Sequence, residues 1–232
     1  LGLLLLGMFM SMTFGLQSTT ASNAGFLISL SVVLIPIFSF IFLKQKIEKR
    51  VILGVCLALI GIALLTLDAE FKISAGDLLC ILCALFCTVH VIVIGIFTKE
   101  VDSIALGTLQ LGFAGLFSFI ISLLTENFKL PDTPISWFSV LMLSIFCTAI
   151  GYIVQSTAQQ YTSATHTGLI LSLEPVFSAI LGYMVLGEVL APKGYIGAAI
   201  LLSSVLIAEV DFKSIFTRKE SIKDEEDIQS SV

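Results

Sequence analysis

Long apolar runs separated by short polar breaks dominate the chain. The runs fall at about 1–17, 23–43, 51–67, 77–97, 103–125, 136–159, 164–186 and 193–210. Each approaches the roughly 20 apolar residues needed to cross a ~30 Å hydrocarbon core. None shows the strict polar–apolar alternation of a membrane strand, which is also about half as long. The pattern predicts eight transmembrane helices. After Asp211 it changes: "RKESIKDEEDIQSSV" is charged and lacks apolar periodicity, and reads as a solvated, disordered end.

Composition decides what surrounds these helices. The 232 residues are 57% hydrophobic and 12% charged, about half the charged fraction of a soluble domain. The excess apolar surface must face lipid. A net charge of −5 gives no reason to expect a nucleic-acid partner. Basic residues set the orientation. Lys44, Lys46, Lys49, Arg50, Lys99, Lys213, Arg218, Lys219 and Lys223 fall on one side of an eight-span chain, and only Lys72, Lys129 and Lys193 on the other. This predicts a multi-pass plasma-membrane protein with a cytoplasmic C-terminus.

The chain also resembles itself. Shifted by 143 residues, "QSTTASNAGFLISL" (17–30) falls on "QYTSATHTGLILSL" (160–173), and ten positions between 17 and 54 are identical. Any two leucine-rich helices share some residues. The matched Gln17/Gln160, Thr19/Thr162, Gly25/Gly168, Ser29/Ser172 and Gly54/Gly197 are harder to dismiss. The shift spans five predicted helices. An odd number of crossings turns the second copy upside down, the arrangement of secondary transporters that enclose a site near the bilayer midplane. The same shift puts the counterparts of 77–125 before residue 1. It predicts two further helices upstream and a ten-helix bundle of two inverted five-helix repeats.

The second copy carries Ala164, Gly168, "LEPVFSAILGY", Gly187–Glu188, and then Gly194 and Gly197. In these features the chain resembles an EamA-type member of the drug/metabolite transporter superfamily. The first copy departs from the motif: Gln45 stands where Glu188 stands, Ser31 where Glu174 stands, and Pro36 lies four positions later than Pro175. The resemblance implies three domains: 1–67, the last three helices of a first repeat; 77–210, a complete second repeat; and 211–232, the tail. It also implies a secondary transporter, an exporter of a small metabolite, amino acid or drug-like molecule.

Candidate chemistry centres on Glu174. A charge at mid-membrane costs about 2.5–3.5 kcal/mol on insertion scales. Thr167, Leu171, Glu174, Ser178 and Leu181 share a helix face by spacing. Pro175 removes a backbone donor, so Pro36 and Pro175 are expected to kink their helices. Further polar stripes run through Thr148, Tyr152, Gln155 and Gln159; Gly107, Gln110, Ala114 and Ser118; and Cys80, Cys83, Cys87 and His90. Such stripes suit helix–helix contacts. Within them Tyr152, Gln155, His90 and Gln110 join Glu174 and Ser178 as candidate cavity residues. The cysteine–histidine stripe is too long for one metal ion, since Cys80 and His90 lie ~15 Å apart along the axis and zinc ligands sit about 2 Å from the metal. No metal or cofactor is expected. Thr19, Thr20, Thr162 and Thr165 are expected to cap helix starts, and Gly25, Gly54, Gly168 and Gly197 to permit close helix contacts.

The expected partners are a small-molecule substrate, protons exchanged at Glu174, and the lipid bilayer. The alternative is a membrane-embedded enzyme or a helical scaffold. Neither a GxxxxGK[ST] phosphate loop nor a GxSxG or HExxH motif is present. His90 with Glu174 is then thin support for an enzyme.

Overall fold

The structure, a computed structural model, describes residues 1–44, 46–66, 74–125, 130–187, 189 and 191–209. The charged tail, Gln45 and Glu188 lie outside the described residues. Among the described residues every regular element is helical: α1 (Gly2–Leu16), α2 (Ala21–Ser29), α3 (Ser31–Leu43), α4 (Lys49–Thr66), α5 (Ala75–Phe97), α6 (Ser103–Thr125), α7 (Pro134–Met142), a π-helical segment (Leu143–Ile150), α8 (Gly151–Ala158), α9 (Ala164–Leu171), α10 (Glu174–Leu186) and α11 (Pro192–Glu209).

Among the described residues five stretches are long and apolar enough to cross a membrane: Asn23–Leu43, Ala75–Phe97, Ser103–Thr125, Pro134–Ala158 and Ala164–Met184. Gly2–Leu16 and Pro192–Ala208 are apolar but shorter, and α4 opens on the charged pair Lys49–Arg50. The chain is an all-α, multi-pass membrane protein. Its many outward-facing Phe, Leu and Ile side chains are what such a protein presents to lipid.

Element boundaries recur at the offset found in the sequence. Adding 143 takes α3 (31–43) onto α10 (174–186) and α4 (49–66) onto α11 (192–209), residue for residue. The details recur as well. Thr20 caps α2 by accepting from the Asn23 N–H at 3.2 Å, and Ser163 caps α9 by accepting from the His166 N–H at 3.3 Å. At the far ends Lys44 (φ 53°) and Gly187 (φ 70°) both take the left-handed conformation that stops a helix. Glycine adopts it without strain, whereas Lys44 carries a side chain into it. The cap at Thr20 agrees with the sequence expectation. At the second site the cap is Ser163 rather than Thr162 or Thr165, and Thr19 donates instead to the Asp77 carboxylate.

Two contacts explain the assembly. Helices α4 and α11 cross at backbone distance. A Cβ placed on Gly61 would lie 2.9 Å from the Gly197 carbonyl oxygen, and one on Gly54 would lie 2.8 Å from the Ala208 Cβ. Only glycine admits that approach. Around the seam Val55, Ala58, Ile62, Leu169 and Leu201 are buried together. Gly168 likewise lets α9 close on Ile35 of α3, where an added Cβ would meet Ile35 Cδ1 at 2.8 Å.

The turns sort to two ends. Lys46, Glu48 and Val51 share a cleft with Ser163, Thr165 and His166, and Leu43, Lys99 and Glu100 share another with Thr162–Ala164. At the opposite end Thr19 meets Asp77, which also completes a reciprocal cap with Ser74. The N-termini of α2 and α9 therefore lie at opposite ends of the bundle.

Candidate functional site

Both long stretches that contain the recurring motif are broken in the middle, at the same place. Between α2 and α3 the Leu30 N–H reaches back to Leu27 at 3.2 Å and the Val33 N–H to Leu30 at 3.0 Å. Between α9 and α10 the Leu173 N–H reaches Ile170 at 3.1 Å and the Val176 N–H reaches Leu173 at 2.9 Å. These three-residue bonds tighten one turn and interrupt the α-helical ladder there.

The two copies place their prolines differently around the break. The two prolines differ by four places in the aligned copies while the breaks coincide. Pro175 is the second residue of α10, where a missing N–H costs least, and α3 runs on through buried Pro36. A serine stands beside the break in both copies. The Ser29 hydroxyl donates to the Gly25 carbonyl at 2.7 Å, and the Ser172 hydroxyl to the Leu169 carbonyl at 2.6 Å. Such back-bonding competes with the helix ladder and bends it.

A cavity of about 200 Å³ lies against both breaks. Glu174, Tyr152, Gln155 and His90 line it, and so do Ser31, Cys83 and Cys87. The backbone of Ser178 belongs to α10, but its side chain lies outside the described part of the structure. The single helix face drawn from Thr167 to Leu181 does not persist. The break falls inside it, so Leu171 and Glu174 line the cavity while Thr167 is buried and Leu181 is exposed.

Gln110 stands one step behind the wall. Its Oε1 lies 2.8 Å from His90 Nε2, and its Nε2 donates to Ser156 Oγ at 3.3 Å. The Ser156 hydroxyl in turn donates to the Tyr152 carbonyl at 2.7 Å. That order fixes the amide, because Ser156 has spent its proton and must accept from Gln110. Gln110 Oε1 then requires a proton on His90 Nε2, which leaves Nδ1 as the ring's second nitrogen. His90, Gln110 and Ser156 are all essentially buried. Ser156 carried no signal in the sequence, since a serine facing a neighbouring helix looks like any small packing residue.

The stripe Thr148–Tyr152–Gln155–Gln159 is divided in the structure. The π-helical segment 143–150 breaks the α-helical period, and the Thr148 hydroxyl donates five residues back, to Leu143, at 3.1 Å. Thr148 faces a different cleft, with Phe9 and Ser118. Tyr152 and Gln155 line the main cavity, and Gln159 turns to the Val91 carbonyl at 2.9 Å. Tyr152 is held edge-on by Phe9, with ring centroids 5.8 Å apart, and by His90 at 5.9 Å.

Electrostatically the cavity is one-sided. Glu174 is open to it, and among the described residues no hydrogen bond or ion pair closes on its carboxylate. No Lys or Arg is among the described lining residues. Among the described residues no three His, Cys, Asp or Glu side chains gather as a metal site.

Known proteins give this geometry its context. An uncharacterized transporter of Archaeoglobus fulgidus is 36% identical over 203 residues, covering 85% of this chain and 63% of its own length. The uncharacterized transporter YetK of Bacillus subtilis is 25% identical over 212 residues, covering 86% and 63%. The chain thus spans somewhat under two thirds of the length of these relatives. A solved crystal structure superposes with a TM-score of 0.79 at 20% identity, covering 89% of this chain and 74% of its own, which establishes the fold. The model of the EamA-like transporter family matches residues 1–67 and 74–209, and the chain belongs to that family.

Proposed function

We propose that the protein is a secondary transporter that moves a small metabolite, an amino acid or a drug-like molecule across the plasma membrane by alternating access, in the export direction. The observation that carries this reading is the shared cavity. Two helices broken at equivalent points, with caps at opposite ends of the bundle, meet around one space that carries a few polar groups in a mainly apolar wall. Transporters built from inverted repeats place their sites beside such interrupted helices.

In this reading residues 1–67 are the end of a first repeat and 77–210 a second, inverted one, with eight crossings in this chain. The break turns, softened by Ser29 and Ser172, are where the half-helices pivot. Glu174 is the chemical centre, open to exchange of a proton or to pairing with cargo as access alternates. His90, Tyr152 and Gln155 complete the wall, with Gln110 holding His90. The end carrying Lys44, Lys46, Lys49, Arg50 and Lys99 faces the cytoplasm, with the C-terminus on the same side. Family and relatives favour transport over an embedded enzyme or a scaffold.

Flux into proteoliposomes tests the reading. Saturable, protein-dependent entry of a metabolite, absent from empty vesicles, is expected. Chemical conversion of the added compound without movement would sink it. Labelling of single cysteines at Ser74 and Lys99 by an impermeant reagent in intact cells checks the orientation: position 74 reacts and position 99 does not.

A further inference from the structure

We propose that the cargo site takes a small organic cation, a single ammonium on a compact apolar body, with Glu174 as its counter-ion. This rests on the transport reading of the same cavity and names its substrate class.

Charge comes first. Among the described lining residues Glu174 is the one acidic side chain, and no Lys or Arg is there to balance it. Glu174 shares the lining with Tyr152 and Cys87. Uncompensated charge in a partly desolvated space is costly, so a mobile cation that fills the space is favoured there. The broken helices do not reverse the sign. At each break the negative end of one half-helix abuts the positive end of the next, so their dipoles largely cancel. The Glu174 carboxyl stands in the first turn of α10, where, once ionised, it is a full charge rather than a partial one.

Shape and polarity come next. Around Glu174 the wall is mostly apolar, with Met8, Phe9, Met12 and Ile28 facing the polar group. A mainly apolar lining with few polar anchors is the usual form of a small-molecule site. An apolar cavity of about 150 Å³ admits benzene, so this one, at about 200 Å³, admits a benzene-sized body with a short aminoalkyl arm. The Phe9 and Tyr152 rings, 5.8 Å apart, supply aromatic surface beside the charge. A carboxylate-bearing solute would face Glu174 with no cation to separate them.

Three probes of matched size separate charge from shape: 2-phenylethylammonium, 2-phenylethanol and 3-phenylpropionate, titrated calorimetrically into the detergent-solubilised full chain. The ammonium is expected to bind at least about tenfold more tightly than the alcohol, a factor worth roughly 1.4 kcal/mol, with the carboxylate weakest. In Glu174→Gln, checked for monodispersity by size exclusion, ammonium and alcohol should converge. The wild-type order alone tests the idea if that variant does not fold. Equal binding of alcohol and ammonium, a preference kept by Glu174→Gln, or no ammonium binding would each overturn the proposal. Counterflow with the same probes separates it from the transport reading. Ammonium bound but never moved would refute the carrier and leave the cation site. Movement of the carboxylate or alcohol with the ammonium excluded would leave the carrier and refute the cation site.

Discussion

The two copies of the motif hold the same backbone and line the same cavity with different chemistry. Phe9 matches Tyr152, Met12 matches Gln155 and Ser31 matches Glu174, each pair separated by 143 residues, and all six line the cavity. On the first side they offer a phenyl ring, a thioether and a hydroxyl. On the second they offer a phenol, an amide and a carboxylate. At the seam the copies stay alike: Gly54 and Gly197 are equivalent, and both sit where a Cβ would collide with the opposite helix. Gly54 and Gly197 are kept as a pair, Gly61 is matched by Ser204, and the three cavity-lining pairs have diverged. The lesson is that fold and chemistry are carried by separate sets of positions.

If that division holds, equivalent substitutions at the seam should cost the same. Gly54→Val and Gly197→Val each force a side chain into a helix contact that has no room for it, and overpacking of this kind costs about 1–3 kcal/mol. Thermal unfolding in detergent should show two similar losses, the largest of the set. A loss confined to one copy would break the symmetry of the seam.

The wall behind the cavity should behave oppositely, because only one side is polar. Gln110→Leu leaves His90 Nε2–H without its buried acceptor, at about 1–3 kcal/mol, and frees the imidazole to change tautomer. Transport should fall further than stability predicts, and Gln110→Glu, which still accepts from His90, should recover part of it. Equal loss in both variants would make Gln110 a packing residue.

Much of this was legible before any coordinates. The 143-residue offset came from shared Gln, Thr and Gly positions, and four of the six candidate cavity residues, Glu174, Tyr152, Gln155 and His90, line one space. The position of the helix breaks was not legible. Proline draws attention as the residue that lacks a donor, yet the prolines differ by four places between the copies, and the serine that bonds backwards beside each break has many other uses. The π-helical segment was hidden too, since its extra residue per turn leaves no periodic mark in an apolar run. The pairing of Gln110 with His90 and Ser156 joins three helices, and no spacing along one helix encodes it.

Smaller effects refine the comparison. Ser29→Ala and Ser172→Ala each remove one back-bond, worth about 0.5–1.5 kcal/mol, and should stiffen the two half-helices to a similar degree. Transport slowed to a comparable extent by both, with little change in melting temperature, would mark the turns as paired pivots. An effect from Ser172→Ala alone would confine the hinge to one copy. The caps come last: Thr20→Ala and Ser163→Ala should each cost about 1 kcal/mol, equally, read as small matching shifts in thermal unfolding.

The central claim is that one acid, on one side of a backbone-symmetric cavity, carries the chemistry of transport. Proteoliposome flux of the equivalent pair Glu174→Gln and Ser31→Ala tests it most directly, with both proteins checked for insertion and monodispersity. The account predicts that Glu174→Gln loses at least about tenfold in initial rate, the loss of roughly 1.4 kcal/mol or more of stabilisation, while Ser31→Ala stays within about twofold of wild type. Wild-type flux in Glu174→Gln, or an equal loss in both variants, would contradict it.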